Sequence, residues 1–166
     1  MAVEYFLKFE GPELKGESTA KGFEKQLQIE SFSFGAARSG GMRRASGDGG
    51  SVGTAEAVDL NVIKLLDNSS PLLYINLCNG QHFDKVTLTA RKSTGSGGQQ
   101  VFFTAEMGKV LISNISFSGA AQGDIPTEAL SLNFASIKFV YKTQNANGAV
   151  VDGNTAKYDF KTVEHS

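Results

Sequence analysis

Apolar and polar residues alternate at period two through most of this chain, and in two places the alternation changes phase inside one run. Val3, Tyr5, Leu7 and Phe9 alternate with Glu4, Phe6, Lys8 and Glu10. Leu27 and Ile29 alternate with Gln26, Gln28 and Glu30. One residue later Phe32 and Phe34 are the apolar positions, and Ser31 and Ser33 take the other face. Leu130, Leu132 and Phe134 give way near Ala135 to Ile137, Phe139 and Tyr141, on the opposite parity. Period two is the signature of a strand with one buried face. A one-residue slip moves the whole apolar set to the other side, so each phase change predicts a bulge or a strand passing from one sheet to another.

Other runs read the same way. Val58, Leu60 and Val62 stand against Asp59, Asn61 and Lys64. Val86, Leu88 and Ala90 stand against Lys85, Thr87, Thr89 and Arg91. Val101, Phe103, Ala105 and Met107 form a strand, Gly108-Lys109 predicts a tight turn, and Leu111, Ser113, Ile115 and Phe117 face one way beyond it. Tyr158, Phe160 and Thr162 close the chain as a strand. Leu14–Gly22, Ser93–Gly98, Gly119–Pro126 and Asn145–Asn154 read as loops. One helix is predicted. Ser70 suits its N-cap, Pro71 its first position, and Gly80 its left-handed C-terminal stop. Its body, Leu72–Cys78, is nearly all apolar, so it is expected to plug the end of a barrel or lie between sheets. The reading is a mainly β fold of roughly eight strands. Two packed antiparallel sheets form a β-barrel or sandwich with one short helix and a long protruding loop. No linker or repeat divides it, and residues 1–166 read as one domain.

The protruding loop runs from Gly35 to Thr54. Glycines stand at 35, 40, 41, 47, 49, 50 and 53, with Arg38, Arg43 and Arg44 among them and Met42 beside the arginine pair. Glycine is costly to order, and long loops without structure of their own are mostly functional or disordered. The segment reads as an arm that orders against a partner through its arginines and methionine.

Composition removes several classes of function. Lysine plus arginine (16) nearly balance aspartate plus glutamate (17), which argues against a nucleic acid or an anionic membrane as partner. The single cysteine, Cys78, rules out an internal disulfide framework. No run approaches membrane-spanning length. The opening alternates and carries Glu4, unlike a signal peptide, so the protein is expected to be cytoplasmic and, if exported, to leave without a cleavable signal. No Walker sequence occurs, because Val110 follows Gly108-Lys109, and Val52 spoils a dinucleotide fingerprint in the run from Gly47. Two distant histidines, His82 and His165, make a poor metal set. Cys78 near His82 is expected to be a buried, inert thiol rather than a nucleophile. Asn68-Ser69-Ser70 and Asn114-Ile115-Ser116 match the glycosylation pattern, to which a chain without a signal peptide gives no use. No catalytic residue, cofactor site or metal site is expected.

Met1-Ala-Val-Glu-Tyr-Phe-Leu-Lys-Phe9, then Leu14-Lys15-Gly16-Glu17-Ser18, resembles the opening of the haemolysin-coregulated proteins. So do Ser31-Phe32-Ser33-Phe34-Gly35 with the glycine arm after it, Gly80-Gln81-His82-Phe83, Leu88-Thr89-Ala90-Arg91-Lys92 and Leu132-Asn133-Phe134-Ala135. The resemblance covers essentially the whole chain. Relatives often carry tryptophan where this chain has Phe32 and Phe34, and the Arg43-Arg44 pair varies between them. The resemblance implies a tube protein of the bacterial type VI secretion machine, with a fold also like that of phage tail tubes. It implies homo-hexameric rings that stack into a tube inside a sheath, beneath a spike with valine-glycine repeats, and effector proteins carried in the lumen. On that basis Arg38, Met42, Arg43, Arg44 and Asp48 are candidate ring-stacking residues, and Ser31 and Ser33 candidates for the cargo-facing lumen. Two other classes are a monomeric all-β binding module for a small ligand or glycan, and an acyl- or glycosyl-transforming enzyme. The module predicts aromatics in loops and a monomer on a sizing column; the enzyme needs convergent polar groups.

Overall fold

The alternating runs become β1 (Val3–Glu10), β2 (Leu27–Ile29), β3 (Ser31–Gly41), β4 (Ser51–Leu65), β5 (His82–Thr94), β6 (Gly98–Ser118), β7 (Thr127–Gln144), β8 (Val150–Asp159) and β9 (Glu164–His165). The one helix is α1 (Ser70–Cys78). The computed structural model describes residues 2–41, 51–94 and 98–165. Among these the strands form one antiparallel sheet, ordered β2-β1-β5-β6-β7-β4-β3, with β8 on β7 and β9 on β8. The sheet does not close through a ladder between its two ends. Those ends are consecutive pieces of one run. Only Glu30 separates β2 from β3, and its N–H donates to Ile63 O at 2.7 Å. The sheet curls round a core in which Leu7, Phe9, Leu27, Leu60, Val62, Val86, Leu88, Met107, Leu130 and Leu132 are buried.

Both phase changes fall where a strand changes partner. Leu27 and Ile29 face the core while β2 pairs with β1. At Ser31 the chain leaves β1 for β4, and Phe32 and Phe34 then pack against the core. In β7, Thr127–Leu132 pairs with β4 and Ser136–Gln144 with β8. Ala135 lies between the two ladders and accepts a 2.8 Å bond from Phe160 N–H.

Several expectations are corrected. The turn at Gly108-Lys109 is absent. β6 runs through it, with Lys109 at φ 54°. That twist changes the buried set from Ala105 and Met107 to Val110 and Ile112. An irregularity between Ile112 and Asn114 then returns Ile115 and Phe117 to the core side, so Ser113 does not share their face. β8 begins at Val150, inside the segment expected to be a loop. The arm is shorter than its composition suggests. Gly41 stands opposite Ser51, and most of the segment from Gly35 to Thr54 is ladder, because backbone groups pair whatever the side chains are. Residues 42–50 lie outside the described residues. Arg91 is buried, not outward: its guanidinium lies 5.0 Å from the Phe6 ring centre and 5.1 Å from that of Phe23, and its Nε donates to Glu4 at 2.7 Å.

Lys64 is the largest departure. Its charge suggested the solvent face, yet it has the parity of Leu60 and Val62 and is 0% exposed. Its Nζ donates to Glu128 Oε2 at 3.1 Å, Asp67 Oδ1 at 3.0 Å and Ser70 Oγ at 3.2 Å. Glu128 stands directly opposite on β7 and is equally buried. Ser70 also donates to Glu128, and Ser69 donates to Asp67. The network therefore fixes the start of α1, whose N-cap is Ser69 rather than Ser70, with no side-chain cap bond. The helix does not plug a barrel. Ser70 and Leu73 are its only buried residues, while Leu72, Tyr74 and Ile75 are about half exposed. Cys78 is exposed too, contrary to expectation, because the side of α1 that carries it has no layer over it among the described residues. Gly80 does take the left-handed stop, at φ 65°.

Removing one member of a buried ion cluster strands its partners, at a cost of about 3–5 kcal/mol, whereas an apolar replacement of the pair is often neutral. Lys64→Met should lose stability of that order in urea unfolding, and Lys64→Met with Glu128→Leu should regain most of it. An unchanged single variant would contradict the assignment.

Candidate functional site: a polar wall with two unpaired edges

Four adjacent strands, β3, β4, β7 and β6, turn one face away from the core. Their registers line its residues up in rows. Ser33 is opposite Asn61, Asn61 opposite Ser131, and Ser131 opposite Asn114. The next row is Ser31, Ile63, Ala129 and Ser116. Ser31, Ser33 and Asn61 are exposed. This placement follows from the phase change: once Phe32 and Phe34 face inward, the serines between them cannot.

Short side chains make up most of the wall, and several of them bond to one another or to Asp59. Ser131 Oγ–H donates to Asn61 Oδ1. Asp59 accepts from Asn133 Nδ2 at 2.9 Å and from Ser113 Oγ–H at 2.7 Å, one donor on each oxygen. The hydroxyls of Ser118 and Thr127 are 2.9 Å apart. These groups join three strands across the sheet, so the surface is ordered without long, mobile side chains. The phase change puts Ser31 and Ser33 on this face, as expected from the sequence, whereas nothing in the sequence singles out Asp59, Asn61, Ser113, Ser131 and Asn133 as their neighbours. The signal was present as polar positions in alternation, but which strands are neighbours is not a local property. Carboxyls with lowered pKa lie elsewhere: Glu24 through backbone N–H groups at its own residue and Gly22, and Asp159 chiefly through Thr162 N–H.

Each margin of the wall ends on a strand with one unpaired edge. Among the described residues β3 pairs with β4 alone. β6 pairs with β5 only as far as Leu111, so its last stretch, 112–118, is bonded to β7 alone among the described residues. Beside that stretch lies an apolar groove of about 620 Å³, lined by Leu66, Pro71, Tyr74, Ile75 and Phe117 with Asp67 and Ser70 at its side. Of the candidate ring-stacking residues, Arg38 is exposed on β3 opposite Ala55. Met42, Arg43, Arg44 and Asp48 lie outside the described residues. Among the described residues no three histidine, cysteine, aspartate or glutamate side chains group to hold a metal, and no helix is long and apolar enough to cross a membrane.

The fold is a curled, mainly β sheet with one short helix and a largely polar outward face. Comparison with known proteins gives the family. The family model described as type VI secretion system effector, Hcp, matches residues 6–141. Protein hcp1 of Pseudomonas aeruginosa is 35% identical over 158 residues, covering 95% of this chain and 94% of that protein. A solved type six secretion system protein superposes with a TM-score of 0.90 at 24% identity, over 99% of this chain and 100% of the other. Hcp1 from Salmonella typhimurium follows at 0.77 and 23%, covering 100% of both chains. The chain belongs to the Hcp family of type VI secretion proteins.

Removing a partly exposed hydrogen-bonding group costs little, because water replaces it; about 0.5–1.5 kcal/mol is typical. Asp59→Ala should therefore lower unfolding stability by about 1 kcal/mol without changing the fold. No measurable loss would show that the wall's bonds are not formed in solution.

Proposed function

We propose that this chain is the tube subunit of a type VI secretion system, a structural component rather than an enzyme. Six copies close head to tail into a ring with the polar wall on the lumen. Rings stack into a tube that a contractile sheath expels beneath a spike with valine-glycine repeats. The protein reaches the outside by this route, from the cytoplasm. Family membership supports the role, and one structural feature carries the ring: the wall has two different unpaired edges. β3, β4, β7 and β6 alternate in direction, so β3 of one copy can add antiparallel to residues 112–118 of the next. Unpaired edges are templates for another strand. Two unlike edges make a heterologous contact, which yields a ring when the rotation closes.

The wall suits a conduit. Short neutral groups already bonded to one another offer a passing effector few charges to hold it, and Ser31 and Ser33 sit where cargo would touch. Stacking falls to the arm. The candidates are Arg38, on β3 near the Gly41–Ser51 end of its ladder with β4, and Met42, Arg43, Arg44 and Asp48, which lie between those two strands in the sequence. Arginines against carboxylates of the next ring, with Met42 as an adaptable apolar contact, would supply the energy for ordering a glycine-rich segment.

Native mass spectrometry at micromolar concentration should show a hexamer. Only monomer would contradict the ring and favour the binding-module reading. Arg43→Glu with Arg44→Glu should preserve rings and abolish stacked tubes and secretion, and stacking in the parent should weaken as salt rises. A double variant that stacks and secretes like the parent would remove the arm from the account. Ser33→Glu should leave the hexamer intact and reduce the effector that co-purifies with it; unchanged co-purification would place this face on the outer wall.

A further inference from the structure

We infer that the groove between α1 and the end of β6 is the socket in which the next copy of this chain seats the apolar margin of its β3. The inference rests on the head-to-tail ring proposed above and names the side chains that hold it. The groove is apolar and open: Tyr74 is 51% exposed, Ile75 48% and Phe117 44%. Asp67, the one charged group on its lining among the described residues, is already bonded to Lys64 Nζ and to Ser69. An apolar occupant therefore fits it better than a cationic one.

Its position selects that occupant. Phe117 belongs to the stretch of β6 whose second edge is bare, so any strand added there passes the mouth of the groove. The rows identify what arrives at that level. On the core side, Phe32 shares a row with Val62, Leu130 and Ile115. A seam that continues the rows sets Phe32 of the next copy beside Ile115, with Phe117 two residues further along. Phe32 and Phe34 pack against their own core beside Tyr5, Phe103 and Phe139, and keep part of their surface exposed at the margin of β3. Two incompletely covered aromatic margins thus meet, one from each copy.

The socket is also set in advance. The buried Lys64–Glu128 pair, with Asp67 at its edge, fixes the first turn of α1, and the Tyr74 and Phe117 rings touch on the groove's lining, their centres 6.1 Å apart. A preformed site loses less freedom on association. Pinning α1 through its start, rather than through a broad apolar face, leaves its apolar side chains for another copy.

The test is a pair of charges on one helix. Ile75 lines the groove, whereas Leu72, equally exposed, does not. Ile75→Glu should give a folded protein, by circular dichroism, whose hexamer dissociates at a concentration about tenfold or more above that of the parent. Leu72→Glu should dissociate like the parent. Should Ile75→Glu misfold, Ile75→Ala supplies the same readout with a smaller shift in the same direction. A groove variant as stable in assembly as the parent overturns the socket, as does an equal effect from Leu72→Glu. A parent that is monomeric at every concentration overturns the ring reading instead, so the two failures are distinguishable.

Discussion

A strand that leaves one ladder for another must turn its apolar side chains with it, and this constraint shapes the whole molecule. β2 and β3 are one run interrupted at Glu30, and β7 changes partner around Ala135. At each place the backbone keeps its hydrogen bonds by taking a new neighbour, and the side chains change parity to stay in the core. The curl that results gives the sheet an inside. It also separates the wall, formed by β3, β4, β7 and the end of β6, from the rest of the sheet. The unpaired edges at the wall's margins are a by-product of the same switching, since β5 leaves β6 at Leu111.

The helix obeys a different constraint. A helix as apolar as this one, with only Ser70 and Asn76 polar among its nine residues, would normally be buried all round. Here it is held at one end by a lysine and two carboxylates, and by Leu73 in the core. A buried ion pair is weak evidence for net stability, but a directional cluster fixes an orientation that apolar packing alone would leave loose. The apolar area left outside is then intelligible as contact surface.

The strands and both partner switches were legible because they are local: alternation is visible in a few residues, and a change in its phase is visible in one. The polar serines at 31 and 33 followed directly. What failed was non-local. Lys64 was assigned to solvent because its partner Glu128 lies 64 residues away. Gly108-Lys109 has turn composition, but β5 and β7 hold it inside a strand. Cys78 was assigned to the core because an apolar helix is usually buried, and nothing in the sequence says that this one is pinned only at its start. The extent of the arm was overstated because glycine, alanine and serine give no alternation even where the ladder continues.

Family membership and the two unlike, unpaired edges support the proposed account, a subunit whose sheet is completed by its neighbours and whose polar face becomes the bore. Electron microscopy of the purified protein, carried to a resolution that separates strands, tests this most directly. The account requires six-fold rings in which β3 of each copy lies against residues 112–118 of the next, with Ser31, Ser33, Asn61 and Ser131 on the lumen. Rings with that face outward, or particles without six-fold symmetry, would contradict it.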